Sequence, residues 1–92
     1  MPELRFDVRW PDGSGRTYYS PSLVVEEYLA VGTAYPVPEF VRRSREALDI
    51  ASDRVREKYG FPCSRAAASA AAIERDAAAF PDGDVQVEAL RL

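Results

Sequence analysis

Residues 3 to 10 alternate polar and apolar without a break. Leu4, Phe6, Val8 and Trp10 fall on one side, and Glu3, Arg5, Asp7 and Arg9 on the other. A period of two marks a strand with one dry face and one wet face. Pro11-Asp12-Gly13-Ser14-Gly15 breaks the pattern with turn residues. Residues 16 to 20 are expected to return as the second arm of a hairpin, since Thr17, Tyr18 and Tyr19 suit a pleated surface. Ser20-Pro21 then predicts a helix start, with serine as N-cap and proline at the first helical position. The short helix carries Leu23, Val24, Glu27, Tyr28 and Leu29 and is expected to stop at Gly32. Residues 33 to 37 read as a loop, with Tyr35 against the core.

From Pro38 the period changes to three and four. Phe40, Ser44, Ala47, Leu48, Ala51, Val55 and Tyr59 form one stripe, which Val41 and Ile50 widen. This predicts the main helix. Glu39–Arg43, Arg42–Glu46 and Arg45–Asp49 are spaced four apart on its outer side. Gly60 is the expected left-handed cap, Phe61 is placed to fold back on the helix, and Pro62 prevents continuation. Ser64 is expected to cap a third helix running to about Phe80, with Ala66, Ala70, Ile73, Ala77 and Phe80 along one side. After the Pro81-Asp82-Gly83-Asp84 turn, Val85, Val87 and Ala89 alternate into a last strand. The order is ββαααβ, which predicts an α+β fold. It has a three-stranded sheet, the first strand central, and the helices packed on one face.

Composition narrows what such a fold can do. At 92 residues the chain is read as one domain, residues 1 to 92, which buries only roughly two-thirds of its unfolded surface. A homodimer would add stability. Net charge is −3 and the pI is about 4.9, which disfavours non-specific binding to nucleic acid or to an anionic membrane. There is no histidine, so the commonest general base and metal ligand is absent. The single cysteine makes no internal disulfide and no cysteine-based zinc site. No cofactor and no metal are expected. The opening Met-Pro-Glu-Leu-Arg-Phe reads neither as a signal peptide nor as a membrane span, so the expected location is the cytoplasm.

Four runs, in this order, resemble one family. They are Arg9-Trp10-Pro11-Asp12-Gly13, Tyr19-Ser20-Pro21-Ser22-Leu23, Ala51-Ser52-Asp53-Arg54-Val55-Arg56 and Tyr59-Gly60-Phe61-Pro62-Cys63-Ser64. They are similar to the small bacterial proteins of a nitrogen starvation response family. The genes of that family sit in a cluster with a nitrilase-type carbon–nitrogen hydrolase, a flavoprotein, a radical-SAM protein, an acetyltransferase and a glycosyltransferase. The resemblance extends to about Ala79. It implies a nitrogen-linked role and partners from the cluster, the flavoprotein and the carbon–nitrogen hydrolase among them; it implies no reaction. A cysteine is common before the Tyr-Ser-Pro-Ser run of that family. Here that position is Tyr18, so a two-cysteine redox or metal function is not general to it.

The residues themselves offer few candidates. Cys63 precedes a predicted helix start, where backbone N–H groups and the helix dipole favour a thiolate. It is therefore the one candidate nucleophile or redox thiol, set against a packing role at a helix joint. Ser20, Ser22 and Ser64 lie at helix starts, which suit an anion as well as ordinary capping. Arg54 is placed to reach an anion at either cap, and Tyr19 lies beside the first of them. Trp10 is expected in the core and Asp12 in turn chemistry. Two functions follow: a non-catalytic accessory protein working through protein contacts, or a small enzyme or enzyme subunit using Cys63.

Overall fold

The first strand is the spine of an antiparallel sheet. In the computed structural model, which describes residues 3–92, β1 (Leu4–Arg9) pairs with β2 (Gly15–Ser20) on one side and with β4 (Asp84–Arg91) on the other. A three-residue strand, β3 (Ala34–Pro36), adds to the far edge of β4, giving the order β2-β1-β4-β3. Met1 and Pro2, the start of the run judged not to be a leader, lie outside the described residues.

The alternation of β1 works as expected. Leu4, Phe6, Val8 and Trp10 are buried, and Arg9 is exposed. On the wet face Asp7 ties three strands together. Its carboxylate accepts from Thr17 Oγ1 on β2 at 2.6 Å and from Arg91 Nε and Nη2 on β4 at 2.8 and 2.9 Å. Those bonds hold the Asp7 carboxyl below its ordinary value, Arg91 contributing most.

Three expectations about the elements are corrected. The sheet has four strands rather than three, because residues 34 to 36, read as a loop, pair with β4. So short a strand has no period to detect, and Pro36 is tolerated because it lies on an edge. The first predicted helix is only a 3-10 turn, Leu23–Glu27. Two adjacent valines and five residues are too few and too β-branched to hold an α-helix. It ends at Tyr28, not Gly32, whose N–H instead donates to Val87 O at 2.8 Å and leads the chain into β3. The third correction is in β4. Asp7 faces Ala89 while Val8 faces Val87, so Glu88 has no partner across the ladder. This bulge reverses the alternation, and Leu90 packs against the core opposite Phe6.

The helices cover the dry face. α1 (Val37–Tyr59) buries Phe40, Ser44, Ala47, Leu48, Ala51 and Val55 along the predicted stripe, with Pro38 in its first turn. Phe6 and Phe40 are fully buried, and each such side chain stabilises by roughly 1.5–3 kcal/mol. Glu39 pairs with Arg43 and Arg42 with Glu46, as their spacing requires. Arg45 does not pair with Asp49. It reaches Glu74 at 2.8 Å and joins α1 to α2 (Ser64–Ala77). α2 ends three residues before the expected Phe80. The helices run in opposite directions between two ends of the sheet: α1 starts beside Trp10, and α2 finishes there.

Candidate functional site

The joint between α1 and α2 lies at one end of the molecule. Gly60 takes φ +84°, a left-handed conformation that only glycine enters freely, and its N–H donates to Arg56 O at 2.8 Å. The helix is stopped where the sequence indicates. The side chains around it do not follow expectation. Tyr59, the last residue of the expected apolar stripe, is 52% exposed, and Phe61 is 64% exposed and does not fold back on the helix. Once Gly60 turns the backbone, Pro62 and the start of α2 carry Phe61 away from the sheet, leaving it no inner face to reach. Ser64 is not the cap either; it is the first residue of α2 and is exposed. The cap position belongs to Cys63, extended at φ −82° and ψ 112°, with no capping bond from its side chain. Cys63 is half-buried and packs against the core.

Ser20, Ser22 and Arg54 are brought together beside this joint. Ser20 ends β2 and is buried. Its Oγ donates to Ser22 O at 2.8 Å and accepts from Ser22 N–H at 3.3 Å, so it ties a turn rather than capping a helix. The cap of the 3-10 turn is Ser22, whose Oγ accepts from Val24 N–H at 3.3 Å. Arg54 Nη1 donates to the same oxygen at 3.0 Å. The hydroxyls are thus occupied by local structure, and Arg54 clamps α1 to the turn.

Tyr19 points the other way. Its ring lies under the Arg65 guanidinium at 3.7 Å, and its carbonyl accepts from Ser69 Oγ at 2.7 Å, which covers part of the open edge of β2. Burial and the Glu3 carboxylate push the Tyr19 phenol up, against the Arg65 charge. A shallow groove of about 310 Å³ lies here, lined by Thr17, Tyr18, Tyr19, Arg65 and Ser69 with neighbouring alanines. None of Cys63, Ser64, Ser20, Ser22 and Arg54 lines it. The six candidate residues therefore divide among three places.

The opposite end holds a cleft that the sequence reading missed. It measures about 240 Å³ and is lined by Trp10, Asp12, Ser14, Arg16, Arg75, Asp76, Ala79 and Phe80. Trp10 and Phe80 stack with centroids 5.6 Å apart and planes at 17°. Trp10 Nε1–H donates to Tyr18 Oη at 3.0 Å, and Tyr18 Oη–H donates to Asp76 Oδ2 at 2.6 Å. Burial first, then the Asp76 carboxylate, push the Tyr18 phenol far above its ordinary value. Asp12 Oδ1 accepts from Ser14 Oγ at 2.6 Å and Ser14 N–H at 2.9 Å, which hold the Asp12 carboxyl low. Hairpin parity was the signal for this cleft. Val8 faces Arg16 and Phe6 faces Tyr18, so Arg16 shares the core side of β2 at its open end. Among the described residues no three acidic or cysteine side chains gather as a metal site, and no helix is long and apolar enough to cross a membrane.

The sequence profile of the family described as nitrogen starvation-induced protein NitG matches residues 5–91. The chain belongs to this family. No curated protein and no solved structure matches it. The NitG match takes in both ends of the molecule and every candidate residue. Three of the runs that carried the resemblance, Tyr19 to Leu23, Ala51 to Arg56 and Tyr59 to Ser64, meet at the joint end through Arg54–Ser22 and the start of α2. The fourth, Arg9 to Gly13, forms the hairpin turn at the other end.

Proposed function

We propose that this NitG-family chain is a non-catalytic accessory protein of a nitrogen-starvation-linked, nitrilase-containing gene cluster, and that it binds a partner protein through the α1–α2 joint. The carrying observation is the pair Tyr59 and Phe61, exposed on either side of a fixed Gly60 turn. Exposed aromatics on either side of a tight turn suit the centre of a protein contact. Lys58 Nζ lies over the Tyr59 ring at 5.5 Å from its centroid, Arg56 is three residues before Tyr59 on α1, and neither makes an ion pair among the described residues. A partner with an acidic rim around an apolar pocket complements this surface, although the chain as a whole carries −3.

The test mixes the purified chain with the cluster's flavoprotein and, separately, with its carbon–nitrogen hydrolase, and reads co-elution on a sizing column. A complex with one of them that Phe61→Ser abolishes is expected. Failure of both to bind overturns the reading, and elution of the chain alone at twice its monomer mass replaces it with a homodimer.

A second reading keeps Cys63 as a nucleophile or redox thiol. It is favoured by one feature: Cys63 occupies the cap of α2, where the first N–H groups receive no side-chain acceptor from it. Alkylation of Cys63 at neutral pH no faster than a free thiol removes that reading.

A further inference from the structure

We propose that the cleft at the tryptophan end binds a free α-amino acid with an uncharged side chain. The site is remote from the joint and independent of the partner reading above.

The charges of the cleft are balanced and partly unused. Arg16 and Arg75 contribute two guanidinium groups. Neither makes an ion pair among the described residues, whereas Arg5, Arg9, Arg42, Arg43, Arg45 and Arg91 all do. Asp12 and Asp76 contribute two carboxylates, each with one oxygen committed. Asp76 Oδ2 accepts from Tyr18 and Asp12 Oδ1 from Ser14. Their second oxygens accept no hydrogen bond among the described residues. The Asp76 carboxylate is also held in place, since Tyr18 Oη is itself fixed by the buried Trp10 indole. A group positioned before the ligand arrives loses little freedom on binding.

This arrangement selects by charge pattern. A simple anion entering the cleft gains two guanidiniums but meets two carboxylates; a simple cation has the reverse difficulty. A small molecule carrying both signs on neighbouring atoms satisfies both sets at once. Its carboxylate takes a bidentate guanidinium bond, and its ammonium donates to the open carboxylate oxygens. An α-amino acid has that pattern in its backbone. What remains of the lining is Ser14, whose hydroxyl already donates to Asp12, and the apolar Ala79 and stacked Trp10–Phe80 pair, which accommodate an uncharged side chain. Size agrees. About 240 Å³ lies below the roughly 300–1,000 Å³ of pockets for drug-sized ligands, which disfavours nucleotides and other larger ligands.

The experiment follows the ¹H–¹⁵N spectrum of the full chain, in which Trp10, the only tryptophan, gives a single indole signal. The probes are L-alanine, L-leucine and L-glutamine, with L-lactate lacking the ammonium and isobutylamine lacking the carboxylate. A saturable shift of the Trp10 indole and of the Arg16 and Arg75 amides is expected, with a midpoint below about 1 mM. Each control should bind at least about tenfold more weakly, because a site built for a polar group is left with unpaired charge when that group is missing. Arg75→Gln and Asp76→Asn should weaken binding to a similar degree while the rest of the spectrum stays native; the carboxamide oxygen in the second variant still accepts from Tyr18. No saturable shift with any of the three amino acids up to about 10 mM overturns the proposal. So does lactate or isobutylamine binding as well as the amino acids, or unaltered binding by both variants.

Discussion

At the joint end two serines and one arginine are spent on holding the chain's own turn, and the large apolar side chains are left outside. Ser20, Ser22 and Arg54 bond to one another and to the turn they hold, while Tyr59 and Phe61 face solvent. At the tryptophan end the distribution is inverted. Trp10 and Tyr18 are buried and bonded in series, while among the described residues Arg16 and Arg75 make no ion pair and one oxygen each of Asp12 and Asp76 accepts no hydrogen bond. The two ends belong to one small core, yet they offer different chemistry. Exposed aromatics beside a self-satisfied turn suit a macromolecular surface. Open charges around an aromatic wall suit a small polar ligand.

The hardest blow to this division falls on the tryptophan end. Gly83 sits at φ +98°, and a Cβ built there would lie 2.8 Å from Pro11 Cβ. Neither side can yield easily: Val37 N–H donates to Gly83 O at 3.1 Å in the turn before β4, and Gly13 N–H donates to Trp10 O at 2.8 Å in the hairpin loop. Gly83→Ala is therefore expected to cost about 2–4 kcal/mol in urea unfolding, from positive φ and overpacking together. A cost below about 1 kcal/mol would show that the hairpin loop is free to move and the cleft wall is not fixed.

A smaller effect tests the buried relay itself. Tyr18→Phe keeps the ring and removes the hydroxyl, leaving the Trp10 indole N–H buried without its partner. The expected cost is about 1–3 kcal/mol. The pH dependence carries a second signature. In the folded state the Tyr18 phenol stays protonated well above the ordinary 10.0, so the unfolded chain loses that proton first. Its contribution is complete below pH 10.0 and declines as pH rises through and beyond that value. Tyr18→Phe should remove this alkaline loss; an unchanged profile would mean Tyr18 is not the group responsible.

The same two ends explain what could be read from the sequence. The period of two in residues 3 to 10 and the stripe from Phe40 to Val55 located β1, α1 and most of the core, because each pattern is local and long. The Gly60 stop was legible for the same reason: it needs only a left-handed residue. Illegible were features whose cause lies elsewhere in the chain. β3 exists because β4 offers an edge. Glu88 bulges where the ladder slips, and Arg45 prefers Glu74 on another helix to Asp49 on its own. The cleft belongs to this second class. Arg16, Arg75 and Asp76 look like ordinary surface charges until the hairpin register and the return of α2 bring them together. At the joint the error had a different origin: Ser20 and Ser64 were assigned caps by residue type, while the backbone placed the caps at Ser22 and Cys63.

At the joint end, Ser22→Ala separates structural from ligand-binding use of the serines. It removes the cap of the 3-10 turn and the acceptor of Arg54, and should cost about 1 kcal/mol in thermal or urea melts. Arg54→Ala should cost less, about 0.5 kcal/mol, since the guanidinium is exposed and can return to water. If Ser22 and Arg54 act only on each other, the double variant should cost less than the sum of the two. Full additivity would disconnect them and reopen Arg54 as a free cation.

The smallest expected effect on stability carries the most weight for function. Tyr59 and Phe61 are more than half exposed, so replacing both with serine removes little buried surface. Unfolding should shift by no more than about 0.5 kcal/mol. Gly60 still ends α1 and Cys63 still opens α2, so the spectrum should change only near the joint. Against that near-silence, binding to a partner through this surface should fall by at least tenfold, roughly the loss of one aromatic anchor or more. The contrast decides between two explanations of the same exposure. If the double variant unfolds readily, the aromatics are part of the fold and the joint is not a free surface. If it is stable and binding is lost, the two ends divide their tasks as their side chains suggest, with the partner held at one and the small ligand at the other.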